Sequence, residues 1–99
     1  MRVYRDTDIP IEVTQGQVFT ISLVANPSTG YVWNAEYNAA IIDLLKPKKF
    51  IPSAVGGKGE EIFEFLTKQA GDTQIKMKYQ RGWEKVPQEV KIFRISIKP

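Results

Sequence analysis

Three short segments carry most of the residue types suited to binding another molecule. Asn26-Pro27-Ser28-Thr29-Gly30 sets two hydroxyls between a proline and a glycine. Proline fixes φ, glycine allows positive φ, and Asn, Ser and Thr side chains can bond back to the backbone. Such a loop is stiff and loses little entropy on binding. Val55-Gly56-Gly57-Lys58-Gly59 is dense in glycine, so its backbone can approach a second surface closely, with N–H groups exposed. It lacks the Gly-Lys-Ser/Thr ending and following helix of a phosphate loop. Arg81-Gly82-Trp83-Glu84-Lys85 surrounds an indole with polar residues and offers no alternating apolar neighbours to carry it into a core. Trp and Arg are the types most frequent at binding hot spots. The plainer readings are an ordinary turn, an idle flexible tip and an indole folded back over the domain's rim.

Catalytic chemistry finds little support. The 99 residues include no cysteine and no histidine. Disulfides, a thiolate nucleophile, Ser-His-Asp catalysis and the commonest metal ligands are thereby excluded. Glu60, Glu61 and Glu64 are the nearest carboxylates, but adjacent residues of a strand point to opposite faces, so Glu60 and Glu61 form no dyad. Glu84 and Lys85 beside Trp83 could line a sugar platform, a minor reading. The formal net charge of +3 is mild and spread along the chain, unlike the cationic stripe of a nucleic-acid binder. Lys46, Lys48 and Lys49, interrupted by Pro47, read as a solvated strand edge.

The elements that must position these segments are strands. Phe19, Ile21 and Leu23 alternate with polar residues, as do Ile75, Met77 and Tyr79, and Phe93, Ile95 and Ile97. Period-two alternation marks a strand with one face in the core. Tyr31 to Tyr37 is aromatic and β-prone, with Trp33 assigned to packing. Ile62, Phe63, Phe65 and Leu66 could be buried on both faces. Ile41 to Leu45 is open to a short helical turn ahead of an extended Lys48–Ile51 segment. Tight turns fall at Thr14–Gln17 and Ala70–Asp72. About seven to eight antiparallel strands, A to G, in one domain over residues 1–99 make an all-β, immunoglobulin-like sandwich. If successive strands alternate in direction, the B–C (25–30), D–E (52–59) and F–G (81–89) loops share one end. A lost or extra strand at D would break that alternation.

Taken in order, the three segments resemble the motifs of the chagasin family of cysteine protease inhibitors. Members carry an Asn-Pro-Thr-Thr-Gly-type B–C loop, a Gly-x-Gly-Gly-type D–E loop and an Arg-Pro-Trp-type F–G loop. The resemblance spans roughly residues 11–98 and is strongest at Asn26-Pro27-Ser28-Thr29-Gly30-Tyr31-Val32-Trp33. Ser28 stands in place of threonine, Lys58 occupies the third position of the D–E motif, and Gly82 replaces the proline of the F–G motif.

The resemblance implies a reversible inhibitor of papain-like cysteine proteases of the cathepsin L or papain type. It implies protease-binding roles for Asn26, Pro27, Ser28, Thr29 and Gly30, for Gly56, Gly57, Lys58 and Gly59, and for Arg81, Gly82 and Trp83. No cofactor, metal, nucleic acid or membrane is expected, and a monomer is the default for a loop-presenting inhibitor. No apolar run approaches bilayer length, and the start is not a signal peptide. The expectation is cytoplasmic if Met1 is the native start, and otherwise the mature domain of an exported protein. The alternative function is an immunoglobulin-like adhesive or interaction module without inhibitory activity.

Overall fold

A computed structural model describes residues 3–45, 48–53 and 56–99. Its strands are β1 (Val3–Tyr4), β2 (Ile11–Thr14), β3 (Val18–Ala25), β4 (Tyr31–Glu36), β5 (Ile42–Leu44), β6 (Lys49–Pro52), β7 (Gly59–Thr67), β8 (Gly71–Arg81) and β9 (Glu89–Lys98). One sheet runs β1-β3-β7-β5, with β6 also on β7; the other runs β2-β9-β8-β4. The two face each other as a sandwich.

Period-two alternation explains the core. Phe19, Ile21 and Leu23 of β3 and Phe63 and Phe65 of β7 turn inward. They meet Ile75 and Met77 of β8 and Phe93, Ile95 and Ile97 of β9. Phe19 stacks on Phe65 at 5.5 Å between ring centroids. Each such side chain contributes about 1.5–3 kcal/mol by leaving water. Ile62 and Leu66 point to the outer face of β7 and are half-buried, so this strand is covered more on one face than the other.

The structure departs from expectation in two places. Residues 41–45 do not form a helical turn. The turn comes earlier, where Asn38 O accepts the N–H groups of Ile41 and Ile42 at 3.0 Å each, and β5 follows. Both β5 and β6 run antiparallel to β7, with Leu44 paired to Phe65 and Lys49 to Ile62. The two segments occupy the place of strand D, both running the same way along β7. Chain direction survives the interruption, and so does the alternation of loop ends.

The first strand is also split, and its pairings are parallel, not antiparallel. β1 lies along β3, and β2 along β9. The reason is that the turn after β2 crosses between sheets. Gln17 N–H donates to Thr14 O at 3.0 Å, and left-handed Gly16 (φ 84°) makes the reversal. β2 therefore sits beside a strand running its own way instead of forming a hairpin with β3.

The ladder ends locate the loops. In one sheet Ala25 and Pro52 both pair with Gly59. In the other Tyr31 pairs with Arg81 and Tyr79 with Glu89. These are the stems of the B–C, D–E and F–G loops, all at one pole. At the other pole Gln15 N–H bonds Lys98 O and Gly16 N–H bonds Thr67 O.

Candidate functional site

The B–C loop is a single 3-10 turn, Pro27–Thr29, closed by Gly30 in the left-handed region (φ 86°). Gly30 N–H donates to Pro27 O at 2.9 Å and Thr29 N–H to Asn26 O at 3.1 Å. Thr29 Oγ1 donates to the same Asn26 carbonyl at 2.7 Å, and Ser28 Oγ donates to Asn26 Oδ1. Asn26 is thus the internal brace of the loop, and Asn26 and Pro27 are half-buried while Ser28, Thr29 and Gly30 are exposed. Both hydroxyl protons face inward. Thr29 Oγ1 also accepts Tyr31 N–H at 3.4 Å, so the hydroxyl whose acceptor capacity is least used within the loop is that of Ser28.

The D–E loop depends on its glycines for three separate reasons. Gly56 (φ 67°) and Gly57 (φ 78°) are both left-handed, where side chains are strained. A Cβ on Gly57 would also lie 3.0 Å from Ser28 Oγ and 3.1 Å from Asn26 Oδ1. The surface this backbone approaches so closely is the neighbouring B–C loop. Gly59 is buried at the first position of β7, where a Cβ would fall 2.2 Å from Ile51 O. That is a packing requirement, so the protease-contact role expected of Gly59 has no exposed surface to act through. Lys58 closes the loop by accepting Ser53 N–H at its carbonyl, 2.8 Å, and leaves its side chain in solvent. Val55 of the motif lies outside the described residues.

The F–G loop opens with a turn across Arg81–Glu84. Glu84 N–H donates to Arg81 O at 3.1 Å, and Glu84 Oε1 accepts Arg81 N–H at 3.2 Å. Gln80 Nε2 adds a bond to Glu84 O at 2.9 Å. Trp83 stands 76% exposed, against 2% for Trp33. At that exposure the Trp83 indole is presented to solvent and not buried. Gly82 is not left-handed, and a Cβ there would meet no atom within 4 Å.

The loops touch one another. Arg81 Nε donates to Thr29 O at 3.2 Å. A Cβ on Gly30 would lie 3.7 Å from Arg81 Cγ and 3.8 Å from Trp83 Cη2. B–C therefore stands between D–E on one side and F–G on the other. Below it, Tyr79 Oη accepts Asn26 N–H at 3.2 Å, and Trp33 Nε1 donates to Val24 O at 3.0 Å.

Sequence reasoning missed a buried ion pair in this foundation. Glu61 is 2% exposed and faces inward from β7. Lys48 Nζ lies 2.9 Å from its Oε1 and donates to Trp33 O at 2.6 Å. The Glu61 carboxylate accepts Trp33 N–H at 3.3 Å. The pair thereby satisfies both edge-facing backbone groups of Trp33 on β4, as a neighbouring strand would. Lys48 does not belong to a solvated strand edge: its ammonium turns inward to Glu61 and Trp33 O. Lys49 is exposed as expected, while Lys46 and Pro47 lie outside the described residues. A lone acidic residue in the inward register of β7 was the available signal.

Comparison with known proteins agrees with the fold. Residues 12–97 match the model of the chagasin family peptidase inhibitor I42. Amoebiasin-2 of Entamoeba histolytica is 29% identical over 91 residues, spanning 88% of this chain and 74% of that protein. The crystal structure of the cysteine protease inhibitor EhICP2, also from Entamoeba histolytica, superposes with a TM-score of 0.83 at 24% identity, covering 98% of this chain and 96% of the other. PbICP-C, solved in complex with falcipain-2, gives 0.65 at 18% identity, covering 96% and 92%. These structures share the sandwich, and the family match extends over nearly the whole chain. The chain belongs to the chagasin family of peptidase inhibitors.

Proposed function

We propose that the chain reversibly inhibits papain-type cysteine peptidases by filling the active-site cleft with the B–C loop, while D–E and F–G grip its two sides. The observation that carries this reading is contact among the loops: Gly57 packs on Ser28, and Arg81 and Trp83 pack on Gly30. A single edge with Ser28 and Thr29 at its centre suits a groove. Asn26, Pro27 and the glycines shape that edge, and Ser28, Thr29, Lys58 and Trp83 offer exposed side chains to a partner.

The chemistry follows from the loop. Papain-type enzymes hold a thiolate beside an imidazolium. The exposed Ser28 Oγ, with Thr29 Oγ1 beside it, accepts a hydrogen bond from such an N–H donor. A peptide bond curled into a 3-10 turn does not reach the near-attack geometry that cleavage requires. Inhibition is occlusion, with no covalent bond and no cofactor, and the chain performs no catalysis of its own. The complex of PbICP-C with falcipain-2 supports a peptidase as the partner. An interface of roughly 1,600 Å² is the ordinary size for such a pairing, and one monomeric domain supplies it.

Titration into papain tests the proposal. The wild-type chain should abolish activity reversibly. Ser28→Trp should weaken inhibition by about 100-fold or more, since an indole at the tip overfills the groove. An unchanged inhibition constant for folded Ser28→Trp would remove the B–C loop from the cleft. A flat activity curve at micromolar inhibitor would favour an adhesive module.

A further inference from the structure

We propose that Tyr31 is a positioning residue of the inhibitory edge: it holds the Arg81 guanidinium, and through it the Trp83 indole, so that Arg81 acts inside the inhibitor. The inference rests on the reading above that Trp83 meets the peptidase.

A continuous stack leads from the core to the tip. Buried Trp33 lies on Tyr79 at 4.7 Å, and Tyr79 on Tyr31 at 5.3 Å. The Arg81 guanidinium sits 4.5 Å from the Tyr31 centroid and 5.7 Å from that of Trp83. Its Nε is bonded to Thr29 O. Glu84 takes the backbone N–H of Arg81, not the guanidinium. Among the described residues no carboxylate pairs with this cation. It is held by aromatic faces and one carbonyl. A guanidinium suits that position because it is planar, weakly hydrated and able to stack while it donates. The turn's hydrogen bonds fix the backbone, and Gly82 beside it brings no side chain to steady the indole. The stack supplies to the Trp83 side chain a placement that the backbone bonds of the turn do not reach. Tyr31 also sits immediately after Gly30, so one ring steadies the stems of both the B–C and F–G loops.

The test is a double-mutant cycle with papain. Tyr31→Leu, Tyr31→Phe and Arg81→Lys are each made in the wild-type chain and in Trp83→Ala, with folding checked by thermal melting. Inhibition constants are measured alongside ¹⁵N relaxation of the Trp83 indole in the free inhibitor. Tyr31→Leu and Arg81→Lys should each weaken inhibition about five- to tenfold when Trp83 is present and less than about twofold in Trp83→Ala. Both should increase Trp83 indole mobility, and Tyr31→Phe, which keeps the ring, should restore both readouts. Equal losses in the two backgrounds would overturn the proposal by making Tyr31 and Arg81 direct peptidase contacts. So would unchanged indole mobility, or a Tyr31→Phe variant no better than Tyr31→Leu. If Trp83→Ala alone leaves inhibition intact, the reading of Trp83 as a contact fails and the strut falls with it. If Trp83→Ala weakens inhibition but the effects simply add, only the strut fails.

Discussion

The two tryptophans do opposite work at the same pole of one sandwich. Trp33 faces inward from an alternating strand, and its backbone is bonded by Glu61 and Lys48. Trp83 sits in a turn with no strand register to bury it, and its indole is carried on a stacked cation. One is fixed so that the other can be presented. The contrast teaches that exposure of an indole follows from its local pattern, whereas rigidity of an exposed indole comes from contacts distant in sequence.

The largest effect should fall on the buried partner. Trp33→Ala should cost about 3–5 kcal/mol of stability in denaturant unfolding, a large share of the roughly 5–15 kcal/mol available to such a domain. A loss below about 1 kcal/mol would mean that Trp33 is not a packing residue. Glu61→Ala comes next, at about 2 kcal/mol, because it strips the acceptor from Trp33 N–H and leaves Lys48 without its partner. Lys48 is 32% exposed and can turn to water, which keeps the cost below the upper range for buried pairs. Urea midpoints of the two variants rank these effects, and the reverse order would place the anchor of β4 in the ion pair.

Smaller effects belong to the loops. Gly57→Ala combines left-handed strain with a tight approach to Ser28, and should cost about 1–2 kcal/mol in inhibition of papain. Gly56→Ala meets open space and isolates strain alone, so equal losses at 56 and 57 would deny the contact between D–E and B–C. The smallest is a gain. Gly82 occupies the second position of a turn, which proline favours, it is not left-handed, and a Cβ there meets no atom within 4 Å. Gly82→Pro should stabilise the loop by about 0.4–1 kcal/mol and tighten inhibition a few-fold. Weaker inhibition would show that the turn needs a conformation proline forbids.

Much of this was legible in the sequence because it is local. Strand faces follow from alternation at Phe19–Leu23 and Phe93–Ile97, loop stiffness from Pro27 and Gly30, and the exposure of Trp83 from its polar neighbours. Convergence of the loops followed from strand direction, even though strand D is interrupted. What was not legible is pairwise and non-local. The parallel neighbours of β1 and β2 depend on which sheet the turn at Gly16 enters. The inward turn of Lys48 depends on the Glu61 carboxylate and the Trp33 carbonyl that meet it. Glu61 reads as a candidate carboxylate on the face opposite Glu60 until Trp33 N–H is placed beside it, and Gly59 reads as part of a loop motif until Ile51 O is found against it. Tyr31 reads as ordinary strand aromatic until Arg81 is seen to lie across its ring.

Competition for the cleft tests the central claim most directly. Binding of the wild-type chain would be measured by calorimetry to papain, and to papain whose catalytic thiol carries a covalent peptidyl inhibitor filling the groove. Insertion of the Ser28–Thr29 tip predicts tight binding to the open enzyme and loss of measurable binding to the filled one. Equal affinity for both would place the contact surface outside the cleft and contradict the account.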